Sequence, residues 1–147
     1  MEQGKMHQFL QEHPRLSGRV AIVLASWHED IGKNLLQGAQ ETLAKSVDQA
    51  QVEVFRVAGA FEIPQMLEVL AKTDRFEAIV PLGCLIKGET AHFDLIANTV
   101  FRAVDEISRK YTVAISNGIL TVNDLFQAQD RAGGSLGNKG SEAAQAA

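Results

Sequence analysis

The chain has 147 residues, room for one domain whose core needs no disulfide or metal staple. Hydrophobic residues make up 46% and charged residues 22%, a globular balance, and a net charge of −4 excludes a global basic field for nucleic acid or anionic membranes. Cys84 is the single cysteine, which excludes an intrachain disulfide and argues against a cysteine metal site.

Residues 1–18 are polar and read as a flexible arm, without the apolar core of a signal peptide. The rest, 19–147, reads as one domain. Arg19–Ala25 (RVAIVLA) is a continuous apolar run, the pattern of a strand buried on both faces. From Asp30, a candidate N-cap, the residues Ile31, Leu35, Leu36, Ala39 and Leu43 recur at helical spacing. Val52–Val57 is β-branched and aromatic, a second strand, interrupted by Ala58-Gly59-Ala60. Ile63–Lys72 reads as a helix that tolerates Pro64 in its first turn. Glu77–Leu82 is a third strand, although Pro81 would remove one ladder donor. Gly83–Thr90 reads as a loop, and Phe93–Lys110 as a long helix with Leu95, Ile96, Val100, Val104 and Ile107 inward. Thr112–Ser116 is a fourth strand ended by Asn117-Gly118. A helix follows over about Val122–Arg131, then a glycine-rich break, Gly133–Gly137, and a helical tail, Ser141–Ala147.

Strands alternating with helices imply a parallel sheet covered on both faces. The expected fold is a flavodoxin-like three-layer α/β/α sandwich with a four-stranded parallel sheet. In such sheets ligands bind beyond the carboxyl ends of the strands. Those ends carry Ser26-Trp27-His28, Gly59–Glu62, Gly83–His92 and Asn117-Gly118, with the only Trp and two of the four His. The opposite ends are bland.

Each of these residues has a plain reading beside a functional one. Trp27 can stack on a flat heteroaromatic ring or pack as a loop aromatic. Glu62 can line a pocket or complement a helix N-terminus. His92 can pass protons near neutral pH or cap a helix. Lys87, Thr90 and the free amides at the next helix start can attract phosphate. Arg131 and Lys139 can bind phosphate or sit on a solvated surface. Neither a P-loop nor a GxGxxG turn is present.

The runs VAGAFEIPQ (57–65), GCLIKGETAHFD (83–94), NGILT (117–121) and RAGGSLGNKG (131–140) resemble the signature segments of lumazine synthase, in order and at that family's spacing. The resemblance covers roughly residues 19–147. It implies condensation of 5-amino-6-(D-ribitylamino)uracil with 3,4-dihydroxy-2-butanone 4-phosphate, without metal or organic cofactor. It implies that Trp27 stacks on the pyrimidine. Ala60, Phe61 and Glu62 would line the ribityl and pyrimidine pocket, and Cys84, Leu85 and Ile86 would contact the pyrimidine through backbone groups. Glu89 and Thr90 would hold the phosphate, and His92 would transfer protons. Arg131 would bind phosphate in a neighbouring subunit's site, and Asn117 would be a substrate-binding residue standing where many members have a phenylalanine that covers the ring. Lys87 and Ser135 depart from the arginine and lysine usual there, and a lysine cannot reproduce a bidentate fork. The resemblance further implies a homo-pentamer with sites between subunits, and leaves a sixty-chain icosahedral shell open. Small-molecule substrates are the expected partners, with neither nucleic acid nor membrane.

The lone cysteine fits a reducing compartment, and no apolar run reaches roughly 18 residues, so a cytoplasmic protein is expected. A non-catalytic scaffold or flavin-binding protein on the same fold is the alternative. A receiver-like domain would need acidic residues at the ends of strands one and three, where Ala25-Ser26-Trp27 and Leu82-Gly83 stand instead.

Overall fold

In the computed structural model, which describes residues 18–48, 51–88 and 92–147, the apolar run becomes β1 (Val20–Ala25), buried at all six positions. Burial on both faces is what a run without polar alternation requires. β1 pairs in parallel with β2 (Val52–Val57), from Val20↔Val52 to Ala25↔Val57. On its other side it pairs in parallel with β3 (Ala78–Ile86), from Val20↔Ala78 to Leu24↔Leu82. β3 in turn pairs in parallel with β4 (Ala114–Ile115) and β5 (Gly118–Val122). The order across the sheet is therefore β2-β1-β3, with β4 and β5 sharing the fourth place.

Two strand boundaries differ from the sequence reading, and both have a physical cause. The fourth strand does not end at Asn117-Gly118 but resumes as β5. Its ladder to β3 breaks only between the pairs Ile79↔Ile115 and Leu82↔Gly118, with register kept. Pro81 lies in that gap, where it has no N–H to donate. β3 also continues past Leu82 to Ile86, because Gly83 is strand rather than loop. A Cβ at Gly83 would sit 3.3 Å from the Ala25 methyl and 3.4 Å from Ile63 Cδ1, so this glycine serves close packing and not ligand approach.

The strands' alternation sorts the core onto two faces. Ile22, Leu24, Val80, Leu82 and Leu120 face one side. There they meet α1 (Glu29–Leu43), α4 (Leu125–Arg131) and α5 (Lys139–Ala146) through Ile31, Leu35, Ala39, Ala128 and Ala143. Ala21, Val23, Ala25, Ile79 and Ile119 face the other side. Against them pack α2 (Ile63–Lys72) and α3 (His92–Tyr111) through Ile63, Leu67, Val100 and Val104. This is the expected three-layer arrangement.

The helix ends refine the reading. The N-cap of α1 is His28, not Asp30, which falls in the first turn beside Glu29, where both carboxylates favour the positive helix end. Pro64 occupies the first turn of α2 as expected. Val122 belongs to β5, so α4 starts only after Asp124, whose carboxylate accepts the Gln127 N–H at 2.8 Å. The glycine-rich break is a small antiparallel hairpin, β6 (Ala132–Gly134) and β7 (Gly137–Asn138). Gly133 and Gly137 have φ of 98° and 86°, a region that glycine enters without a Cβ penalty. α5 begins at Lys139 and is capped by Asn138, whose carboxamide oxygen accepts the Ser141 N–H at 3.1 Å. The arm expected over residues 1–18 lies outside the described residues except for Gly18. Among the described residues no helix is long and apolar enough to cross a membrane.

Candidate active site

At the carboxyl edge of the sheet, pairing continues past the formal ends of β1 and β2. The Ser26 N–H donates to the Val57 carbonyl at 2.9 Å, and the Trp27 N–H to the Ala58 carbonyl at 3.2 Å. The backbone of Trp27 is thereby fixed while its indole is 68% exposed. His28 then turns the chain into α1 with φ 58°, a left-handed conformation that costs a non-glycine residue about 1–3 kcal/mol.

The neighbouring strand end forms a single 3₁₀ turn over Ala60–Glu62. Glu62 Oε2 accepts the Gly59 N–H at 2.9 Å, and the Glu62 N–H donates to the Gly59 carbonyl at 3.1 Å. The carboxylate thus closes the turn locally. Ala60 is buried and Phe61 is 61% exposed beside it, an apolar face open to a ligand.

At the end of β3, Cys84 is 4% exposed, and burial pushes its thiol up to about 11. It is then a small apolar core side chain and not a nucleophile at neutral pH. Leu85 and Ile86 are half-buried, and the exposed Lys87 keeps a backbone bond from its N–H to the Val122 carbonyl at 2.8 Å. Among the described residues nothing approaches within 4 Å of where a Gly88 Cβ would lie. The two expected phosphate-holding residues, Glu89 and Thr90, fall outside the described residues. His92 opens α3 and is exposed, at the same edge of the sheet as Trp27 and Phe61.

Asn117 and Arg131 are elsewhere. They line a groove of about 330 Å³ along β5, between α3 and α5, with Phe101, Thr121, Lys139 and Glu142. Asn117 Oδ1 accepts the Ile119 N–H at 3.0 Å. One Arg131 guanidinium nitrogen donates to the Gln127 carbonyl at 3.2 Å, and Lys139 Nζ stands 3.7 Å from the Glu142 carboxylate. Trp27, Phe61 and His92 do not line this groove. The expected residues therefore form two groups in one chain, one at the ends of β1–β3 and one beside the fourth strand. β4 and β5 pair only with β3, so their outer edge is open among the described residues.

Sequence reasoning missed Phe101, Thr121 and Glu142, which meet Arg131 only because α3, β5 and α5 converge at that edge. A larger cavity of about 440 Å³ opens at the opposite, amino end of the strands. Its walls are largely apolar, with Val20, Leu43, Val47, Ala78 and Ala144, and Lys45 and Glu77 also line it. Among the described residues no three His, Cys, Asp or Glu side chains gather as a metal-binding group.

A family model described as 6,7-dimethyl-8-ribityllumazine synthase matches residues 17–147. A protein of that name from Buchnera aphidicola subsp. Schizaphis graminum is 42% identical over 130 residues, covering 87% of this chain and 82% of the relative. Another of the same name, from Ruthia magnifica subsp. Calyptogena magnifica, is 42% identical over 134 residues, covering 87% and 80%.

Proposed function

The chain belongs to the 6,7-dimethyl-8-ribityllumazine synthase family, and we propose that it performs the family's condensation in a site shared by two neighbouring subunits. The reaction joins 5-amino-6-(D-ribitylamino)uracil to 3,4-dihydroxy-2-butanone 4-phosphate, releases phosphate and water, and yields 6,7-dimethyl-8-ribityllumazine. It is the penultimate step of riboflavin biosynthesis.

One observation carries the shared site. Arg131 and Asn117 line the groove on the open edge of the sheet, apart from Trp27, Phe61 and His92 at the strand ends. A second copy set against that edge would cover unpaired backbone. It would also receive Arg131 at its own strand ends. Repetition of one such contact closes into a ring, and five subunits are the expected ring, with a sixty-chain shell as the larger assembly to test for. The buried free thiol of Cys84 suits a reducing cytoplasm.

The roles follow the chemistry. Trp27 stacks on the pyrimidine, Ala60, Phe61 and Glu62 wall the ribityl chain, and the backbone of Cys84–Ile86 meets the ring edge. Backbone amides at Glu89 and Thr90, together with the neighbour's Arg131, hold the phosphate, and the neighbour's Asn117 lies beside the ring. The amine attacks the ketone carbon, and loss of water gives an imine. Elimination of phosphate leaves an enol that tautomerises to a ketone, and the second amine closes the ring on that carbon with loss of a second water. His92 moves the protons, as an imidazole can at neutral pH. Both substrates are reactive, so holding them together supplies much of the acceleration. No cofactor enters these steps.

Steady-state assays with both substrates test this. Arg131→Ala should raise KM for the phosphorylated ketone by roughly 10–100-fold, the worth of one charge-assisted contact, and change kcat less. An unchanged KM would remove Arg131 from the site. A wild-type protein that makes no lumazine would overturn the assigned reaction.

A further inference from the structure

We propose that Gly59 is a positioning residue whose missing side chain seats the indole of Trp27, and so sets how the pyrimidine substrate is gripped. The inference deepens the reading above and rests on Trp27 being the stacking residue.

Gly59 is buried, and its backbone is extended, with φ −146° and ψ −179°. Any residue adopts that conformation, so backbone freedom does not explain the glycine. Space does. A Cβ there would lie 3.0 Å from Trp27 Cδ1 and 3.4 Å from Trp27 Nε1. It would also lie 3.2 Å from Glu62 Oε2. Gly59 thus packs edge-on to the five-membered ring of the indole, and the Glu62 carboxylate, bonded to the Gly59 N–H at 2.9 Å, holds the glycine in place. The bond from the Trp27 N–H to the Ala58 carbonyl fixes the tryptophan backbone, so a methyl at 59 presses first on the indole side chain, its nearest neighbour, and then on the Glu62 carboxylate. The three residues form a chain of contact, Glu62 to Gly59 to Trp27, that ends on the exposed ring.

Trp27 is the only tryptophan, so intrinsic fluorescence reports its surroundings directly. Gly59→Ala should shift the emission of the folded protein and raise KM for the pyrimidine amine by roughly 2–10-fold, with kcat for the saturated enzyme little changed. In a Trp27→Ala background the same substitution should change that KM less than about twofold, because its effect passes through the indole. Glu62→Gln, which keeps an acceptor for the Gly59 N–H, should leave the wild-type emission. Glu62→Ala should move it in the direction of Gly59→Ala.

Equal KM effects of Gly59→Ala with and without Trp27, or unchanged emission in both Gly59→Ala and Glu62→Ala, would overturn the inference. If Gly59→Ala does not fold, the two Glu62 variants decide through emission alone. A wild-type protein without lumazine synthesis would instead sink the functional reading and leave the emission test standing.

Discussion

Gly38→Ala should destabilise this protein although it places a better helix former in the middle of α1. In an open helix the change gains about 1 kcal/mol. Here a Cβ at position 38 would run into the Asn138 carboxamide, whose Nδ2 lies 2.6 Å from that point and whose Oδ1 is closer still. That carboxamide has two tasks. Its oxygen caps α5 by accepting the Ser141 N–H at 3.1 Å, and its nitrogen donates to the Asn34 carbonyl of α1 at 2.9 Å. Displacing it costs about 0.5–2 kcal/mol for the cap and about 0.5–1.5 kcal/mol for the second bond. Against the gain of about 1 kcal/mol the net loss is up to about 2.5 kcal/mol, which lowers Tm by up to roughly 10 °C for a chain of this size. Thermal melts at fixed protein concentration read it out. In an Asn138→Ala background the clash is gone, and Gly38→Ala should become neutral or stabilising. A single Gly38→Ala variant that melts above wild type would refute the reasoning, as would the same loss in both backgrounds.

Three further outcomes are expected. Cys84, with its thiol pushed up to about 11, should resist iodoacetamide at pH 7.5 in the folded protein and react on unfolding; rapid alkylation of native protein would show that the thiol is not buried. His92→Ala should lower kcat only about tenfold to a few hundredfold, since proximity remains, and complete inactivity would contradict that division of labour. Glu68 is held below the usual carboxylate range, chiefly by the Tyr111 hydroxyl at 2.8 Å and then by Lys72 and Lys110. The charged form is the one favoured by folding, so its contribution is present above the unfolded pKa and fades as pH falls through the lower folded value. Tyr111→Phe should move the Glu68 NMR titration upward, and an unmoved midpoint would assign the shift to the lysines.

Much of the fold was readable because its signals are local. RVAIVLA has no polar alternation, which suits a strand buried on both faces, and Pro64 marks the first turn of α2 through its missing N–H. The errors came where a distant contact decides. Gly83 looked like a loop residue, yet Ala25 and Ile63 press against it inside β3. Asn117-Gly118 looked like a strand end, yet β3 beyond Pro81 offers partners on which the chain pairs again. His28 rather than Asp30 caps α1 because of a left-handed backbone that no side-chain pattern announces. The grouping at the strand ends was readable, because the order of strands and helices alone places Trp27, Phe61 and His92 on one edge. That Asn117 and Arg131 belong to a separate groove depends on α3, β5 and α5 meeting, which spacing along the chain does not encode.

The shared site is tested most directly by complementation. Co-expression of His92→Ala and Arg131→Ala chains in equal amounts forms mixed assemblies. Assayed with the phosphorylated ketone well below the KM of the Arg131→Ala parent, where both parents are slow, activity should rise several-fold above the mean of the two parents if each site takes His92 from one chain and Arg131 from its neighbour, because about a quarter of the sites regain both residues. Activity equal to that mean would place both residues within a single subunit and contradict the account.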